Sequence, residues 1–448
     1  MTSETTDTIA AVATAHGVGS IAIVRVSGPR ALELAKKMTG RHFAPRTATL
    51  SSIYDTEQKL IDQGIVIYFK APKSFTGEDI VEFQVHGGIV VANRILQTLT
   101  ELGARLAEPG EFSKRAFLNE KLDLTEAEAI AKLIEAKSED AAKILARQLK
   151  GELKSFVEDI REKLIRILAF VEVNIDYAEE DLPIDLHNQI KEQLMDIKKE
   201  LQKVVESSIR RAGLIEGFKI SIIGKPNAGK SSLLNALLNY ERAIVSDIAG
   251  TTRDTIEESI KIGTHLVRFI DTAGIREAKD EIEKIGIDRS INAIEESDIV
   301  IAMFDASKPL DEEDRKIIEL LNRYKDKKEI IAVLNKIDLD RKITDIAGFE
   351  TISLSVKKDI SPLVERLKNL LDSFSNTEEI ILISNRQIEA VKRASKAIEE
   401  SVGPLEMEEL EIFAFHLNEA IKEIGSITRP MQSGELLDKM FGEFCLGK

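Results

Sequence analysis

Cysteine is nearly absent from the 448-residue chain, where Cys445 stands alone. That excludes an internal disulfide and a cysteine-built zinc site. No apolar run approaches the ~18 residues that span a bilayer, and the first thirty residues lack a basic start, an apolar stretch and a small-residue cleavage site. Secretion and membrane insertion are therefore disfavoured, and a reducing cytoplasm is the expected location. Basic residues are in deficit: 62 Lys plus Arg against 77 Asp plus Glu leave a net charge of −15. Residues 1–120 carry 13 of each sign, so the whole excess lies in 121–448. Phosphate tracking over a broad surface is not expected, although a local basic patch for a folded nucleic acid is compatible with this balance. Internal repeats and low-complexity tracts are also missing.

Hydrophobic residues make up 43% of the chain and charged residues 31%, enough apolar material for sizeable cores and too much for wholesale disorder. At ~150 residues per domain the length suggests about three domains. Residues 1–120 mix short β-branched runs, such as 20–26 and 64–69, with glycine turns and amphipathic stretches, the pattern of a small α/β domain. Over 121–213, apolar residues three and four apart predict long helices, with an acidic, proline-containing break at 179–183. Residues 214–375 alternate short apolar strands with helical stretches, as a doubly wound parallel sheet requires. Helix returns over 376–448, with breaks expected at Gly403-Pro404 and Arg429-Pro430. The expected fold class is thus multidomain α/β plus all-α. The central α/β block reads as an insertion into one helical domain, a pattern that two separate helical domains would share.

Gly224-Lys225-Pro226-Asn227-Ala228-Gly229-Lys230-Ser231 follows the apolar run 218–223 and opens a helical stretch, the context of a phosphate loop. Its glycines let backbone N–H groups face phosphates, Lys230 supplies a point charge to the β and γ phosphates, and the Ser231 hydroxyl suits Mg2+. Asp271-Thr272-Ala273-Gly274 ends a strand over 266–270; its carboxylate suits Mg2+ through water, and the Gly274 N–H suits a γ phosphate. In Asn335-Lys336-Ile337-Asp338, the last carboxylate can accept both N–H groups on the edge of guanine. Adenine offers no such pair, so the nucleotide is read as GTP. Ser353-Leu354-Ser355-Val356-Lys357 has the place of the remaining base loop, with Val356 where Ala is more usual. Asp247-Ile248-Ala249-Gly250-Thr251-Thr252-Arg253-Asp254 is the natural switch loop, one threonine completing the Mg2+ shell. Position 275 is Ile, an alkyl group unable to orient water as Gln does in Ras-like enzymes. Glu277, Asp280, Glu281 and Glu283 are all candidates for that task, and the residues leave the choice open.

Taken in order, these motifs resemble the translation-factor-related GTPases. Ser74-Phe75-Thr76-Gly77-Glu78-Asp79, His86-Gly87-Gly88, the stretch from Pro109-Gly110-Glu111-Phe112 to Asn119, and the terminal Phe444-Cys445-Leu446-Gly447-Lys448 narrow the resemblance to the MnmE (TrmE) family over essentially the whole chain. The resemblance implies a Ras-like G domain inserted in a helical domain, and a homodimeric, potassium-activated GTPase. It also implies a flavoprotein partner, MnmG (GidA), and the wobble uridine of certain tRNAs as the substrate. The product would carry an aminomethyl-type group at C5, built from a one-carbon unit of 5-formyl- or 5,10-methylene-tetrahydrofolate on the N-terminal domain.

Carried over by position, K+ would lie on the Asn227 side chain and the backbone oxygens of Ser246, Ile248 and Thr251, in the role of an arginine finger. Mg2+ would lie on Ser231 and Thr252. The nucleotide shell would comprise Asn227, Ala228, Gly229, Lys230, Ser231 and Ser232, then Ser246, Asp247, Ile248, Ala249, Gly250, Thr251 and Thr252. It would continue through Asp271, Thr272, Ala273 and Gly274 to Asn335, Lys336, Asp338, Ser355, Val356 and Lys357. Glu283 corresponds to the family's water-orienting residue, and Arg25, Glu82, Lys121 and Lys448 to its folate contacts. Plainer readings are a structural ion pair for Arg25 and Glu82 and surface charge for Lys121. Cys445 lies near the folate pocket in that family, its role open. The start, Ala15-His16-Gly17-Val18-Gly19-Ser20, departs from the family's Pro-Pro-Gly-rich version, and Leu446 from its usual Ile. Competing functions are a GTP-dependent ribosome-assembly factor and a folate-regulated switch.

Overall fold

A computed structural model of the chain describes residues 7–15, 17–176, 184–242, 258–270, 285–375, 379–430, 434–442, 444 and 447. It divides into two compact units: Met1–Ile134 with Gln148–Leu194 and Lys396–Lys448, and Glu135–Arg147 with Met195–Ser395.

In the first unit the period-2 runs become strands of one sheet: β1 (Ile9–Val12), β2 (Ile21–Ser27), β3 (Thr49–Tyr54), β4 (Leu60–Phe69), β5 (Ile80–His86) and β6 (Arg105–Leu106). Their order is β3-β4-β5-β2-β1-β6, antiparallel except for the β1–β6 pair. Alternation sends Val24 and Val26 of β2, Val66 and Tyr68 of β4, and Val81, Phe83 and Val85 of β5 to one face. There they meet Leu34, Ala35 and Met38 of the helix Ala31–Thr39 and Ile95 and Leu99 of the helix Ile89–Glu101. Each Val, Leu, Ile, Phe or Met among them contributes ~1.5–3 kcal/mol on full burial. The first of these helices stops at Gly40, whose φ of 67° places its N–H on Lys36 O. On the opposite face Ile9, Ala11, Ala107 and Phe112 form a smaller cluster with Phe75.

The helical part of this unit is carried by Glu152–Asp176 and Leu410–Gly425, which pack together. Leu153, Val157, Ile160, Leu164 and Val171 line one side, and Phe413, Leu417, Ala420 and Ile424 the other, all buried at helical spacing. The break expected at Gly403-Pro404 does not occur there: the helix Asn385–Glu406 runs through Pro404 and ends two residues later. Pro404 offers no N–H to the Glu400 carbonyl, a loss the helix bears in its last turn. The chain is then closed by Met407 N to Gly403 O and Glu409 N to Pro404 O, at 3.0 and 2.9 Å. The break at Pro430 is real, falling between Leu410–Gly425 and Gly434–Gly442. Leu437 and Phe441 of the last helix pack with Leu124, Ala127 and Phe117.

The second unit holds a sheet of β7 (Phe218–Ile223), β8 (Glu258–Ile262), β9 (His265–Phe269), β10 (Ile299–Asp305), β11 (Glu329–Asn335) and β12 (Glu350–Ser353). The order is β12-β11-β10-β7-β9-β8, all parallel except that β8 is antiparallel to β9. Every residue of β10 is buried, as a central parallel strand covered on both faces demands. Val300, Ala302 and Phe304 meet Ile294 and Leu321 in the core. β7 has β10 on one side and β9 on the other, so the chain reverses its winding at β7. Ligands bind beyond the carboxyl ends of strands at such a switch point, and the loop leaving β7 is the glycine-rich one.

Candidate functional site

The loop from β7 to the helix Lys230–Arg242 is a folded cradle. Pro226 follows Lys225, Asn227 has a φ of 66°, and Ala228 N donates to Lys225 O at 3.3 Å. Proline at the second position and a left-handed third residue define a type II turn, which leaves Asn227 exposed at its tip. Gly224 packs against β10, where an added Cβ would lie 2.5 Å from Met303 O. Lys230 Nζ donates to the carbonyls of Gly224 and Lys225 at 2.6 and 3.0 Å. Burial pushes the Lys230 ammonium below its ordinary range, a cost that phosphate oxygens would offset.

The base motif is fastened to this cradle by its own side chains. Asn335, 4% exposed, donates from Nδ2 to Ala228 O at 2.9 Å and accepts through Oδ1 from Val356 N at 3.1 Å. Lys336, at φ 66°, reaches Asn227 O at 2.9 Å and Asp305 Oδ2 at 2.6 Å. Burial raises the Asp305 carboxyl, but Lys336 and the Ser307 hydroxyl and N–H outweigh it and hold the group below its ordinary value. Asp338 is exposed, and a hydrogen bond from the Ser355 side chain lowers its carboxyl. It is therefore an ionised acceptor on the rim of the site. Val356 contributes its backbone N–H, which explains why the departure from Ala is tolerated. Sequence reasoning missed two residues, Lys225 and Asp305; the signal for Asp305 was a carboxylate ending a wholly apolar strand.

GTP fits this arrangement. The loop N–H groups and Lys230 would hold the phosphates, Asp338 the guanine edge, and the Ser231 hydroxyl Mg2+ together with phosphate and water oxygens. Among the described residues no group of three or more His, Cys, Asp or Glu could hold a metal on protein ligands alone. Ser246, Asp247, Ile248, Ala249, Gly250, Thr251, Thr252, Asp271, Thr272, Ala273, Gly274, Glu283, Cys445 and Lys448 lie outside the described residues.

A second constellation lies on the sheet face of the first unit opposite its two helices. Arg25 and Glu82 are cross-strand partners and form an ion pair with Nε–Oε1 and Nη2–Oε1 distances of 3.0 and 2.9 Å. The Arg25 guanidinium lies 5.7 Å from the ring centres of both Phe75 and Phe112, a cation flanked by two π faces. The loop carrying Phe75 is pinned at several points. Thr76 Oγ1 and Ser27 Oγ are 2.7 Å apart, Ser27 Oγ donates to Glu78 at 2.7 Å, and Asn119 Nδ2 donates to Thr76 O at 2.7 Å. Lys121 lies along Gly77, its Cε 3.1 Å from where a Cβ would stand. Thus the structure brings Arg25 and Glu82 together and reaches Lys121 through the same loop.

Beneath the loop, Arg115 is 2% exposed and pairs with Glu78, Glu111 and Asp7 at 3.2, 3.0 and 2.8 Å. Burial raises the Glu111 carboxyl, but hydrogen bonds from Arg105 and Arg115 bring it below its ordinary value. Its contribution to stability is accordingly present at neutral pH and fades as acid protonates it. The chain's end reaches this unit too: Gly447 is buried at φ 90°, where a Cβ would overlap Val12 O.

Two family models cover the chain: one described as MnmE helical domain matches residues 124–445, and one described as GTP-binding protein TrmE N-terminus matches residues 8–121. A protein of a Nitratiruptor species called tRNA modification GTPase MnmE is 70% identical over 100% of both chains. Proteins of the same name from Sulfurimonas denitrificans and a Sulfurovum species are 60% and 59% identical, each over 99% of both chains. With a guanine-nucleotide cradle in one unit and the TrmE-type N-terminal sheet in the other, the chain belongs to the MnmE family of tRNA modification GTPases.

Proposed function

We propose that this protein hydrolyses GTP in the modification of tRNA, and that it does so as a potassium-activated enzyme. With the flavoprotein MnmG (GidA), it would install an aminomethyl-type group at C5 of the wobble uridine of certain tRNAs, in the cytoplasm. The observation that carries the GTPase part is the fastening of Asn335 and Lys336 to the phosphate loop, with Asp338 ionised at the rim. The potassium part is supported by Asn227: an exposed left-handed turn tip on the phosphate loop would suit a monovalent cation where charge develops. Ile275 supports it as well, because a site without a water-orienting Gln needs other help. Glu283 would orient the water, with Lys230 on the phosphates.

Tetrahydrofolate would supply the one-carbon unit when bound to the N-terminal domain of a homodimer. Arg25 flanked by Phe75 and Phe112 suits a planar heteroaromatic ring, and Glu82 suits its N–H donors. Lys121 and Lys448 suit the glutamate carboxylates, and Cys445 would lie near the same pocket, its chemical role open. In this account Arg25 and Glu82 are an ion pair that a ligand shares rather than breaks.

Deleting the gene and analysing tRNA nucleosides by mass tests this directly: the C5 substituent at the wobble uridine is expected to disappear and to return with the intact gene. Normal nucleosides together with GTP-dependent co-sedimentation on ribosomal subunits would favour an assembly factor instead. Gly447→Ala should free the tail from Val12 and weaken tetrahydrofolate binding about tenfold in calorimetric titration, with GTP turnover unchanged.

A further inference from the structure

A lysine second in a phosphate loop looks like another phosphate ligand, but in this chain Lys225 is engaged elsewhere. Its side chain is 10% exposed, and Nζ lies 2.6 Å from both Asp311 Oδ2 and Asp314 Oδ2. These acids open the helix Glu312–Tyr324. Asp311 is its N-cap and accepts from Glu313 N and Asp314 N, and Asp314 Oδ2 accepts in turn from Asp311 N at 3.2 Å. Asp314 is 2% exposed. The ammonium therefore sits on a helix start whose two carboxylates are also held by the N–H groups of Asp311, Glu313 and Asp314.

The backbone of the same residue is the foot of the nucleotide cradle. Lys225 O accepts from Lys230 Nζ and from Ala228 N, the bond that closes the turn carrying Asn227. One residue thus joins the fixed acid pair, through its side chain, to the turn that sets Lys230 and Asn227, through its carbonyl. We infer that Lys225 is a positioning residue: anchored by Asp311 and Asp314, it preorganises the phosphate loop for GTP without touching a phosphate. This rests on the GTPase reading above. Failure of the wild-type chain to bind GTP would sink that reading; the comparison below concerns variants of a chain that binds it.

The test is a double-mutant cycle on the full chain, using Lys225→Met, Asp314→Asn and their combination, with Lys225→Arg as the conservative variant. Fluorescent GDP release and the KM and kcat of GTP turnover are the readouts, and circular dichroism checks folding. Lys225→Met is expected to speed GDP release and raise KM about tenfold while kcat changes less than about threefold. Asp314→Asn should move the same parameters in the same direction, the double variant should be no worse than Lys225→Met, and Lys225→Arg should stay near wild type. Additive losses, or a harmless Asp314→Asn beside a Lys225→Met that lowers kcat at constant KM, would overturn the inference and make Lys225 a direct phosphate ligand. Wild-type behaviour of Lys225→Met would overturn it as well. Should Lys225→Met unfold, Asp314→Asn against Lys225→Arg still decides, because the inference requires the first to raise KM and the second to leave it alone.

Discussion

Gly229→Ala is expected to cost at least ~100-fold in nucleotide affinity, measured by equilibrium binding of fluorescent GDP. Gly229 has a φ of 109°, a backbone conformation that L side chains rarely adopt. A methyl group there would overlap Asn335 Nδ2 and stand 3.5 Å from Met303 Cε. Asn335 cannot retreat, because it is 4% exposed and bridges Ala228 O to Val356 N. The substitution therefore displaces the phosphate loop and the base loop together, and the loss should exceed that from either alone. A Gly229→Ala chain that folds and binds GDP normally would mean that these two loops do not act as one frame.

Asp338→Ala should erase the choice of guanine over adenine, lowering the GTP-to-ATP ratio of kcat/KM by about 10⁴. The size comes from the partner groups. Two guanine N–H donors lose an ionised acceptor that Ser355 holds in place, and adenine gains nothing from its presence. Asp338→Asn carries one acceptor and one donor. It complements the edge of xanthine, which has one N–H and one carbonyl at those positions. Competition assays with GTP, ATP and xanthosine triphosphate should therefore show preference moving to the xanthine nucleotide. Retained GTP selectivity in Asp338→Ala would remove this carboxylate from the site.

Much of the nucleotide unit could be read in advance because its signals are local. An apolar run, then Gly224 to Ser231, then a helical stretch specifies a strand, a turn and a helix start within one short segment, and β7 with the helix Lys230–Arg242 follows that reading. Asp338 could be named because a carboxylate after a buried strand has one natural partner on guanine. Contacts distant in sequence left no such mark. Lys225 meets Asp314 89 residues away, and no spacing rule links a loop lysine to the cap of a helix three strands later. The Phe75 and Phe112 rings beside Arg25 come from a loop and a helix that are remote from β2 along the chain.

The stretch from Ser74 to Asp79 carries the family resemblance, and the structure supplies a reason for its residues. Ser74 and Thr76 are hydrogen-bonded within the loop, Glu78 meets Arg115, and Asp79 accepts from Tyr68 Oη and Ala71 N at 2.9 Å each. The stretch that carries the resemblance is thus largely the scaffold that presents Phe75. Proline at 404 misled in the other direction. Its cost is one lost bond and crowding against the preceding turn, which this helix bears with two helical residues still to follow. A residue-by-residue reading weighs the proline without knowing where the helix would have ended.

GTP turnover of the wild type and of Glu283→Ala in matched potassium and sodium buffers tests the central claim most directly. It interrogates the nucleotide, the cation and the water-orienting acid in one comparison. The expected result is turnover that potassium stimulates strongly and sodium does not, and that Glu283→Ala loses in potassium. Slow hydrolysis indifferent to the cation and to residue 283 would contradict the account, because the site would then have to be completed by an external partner.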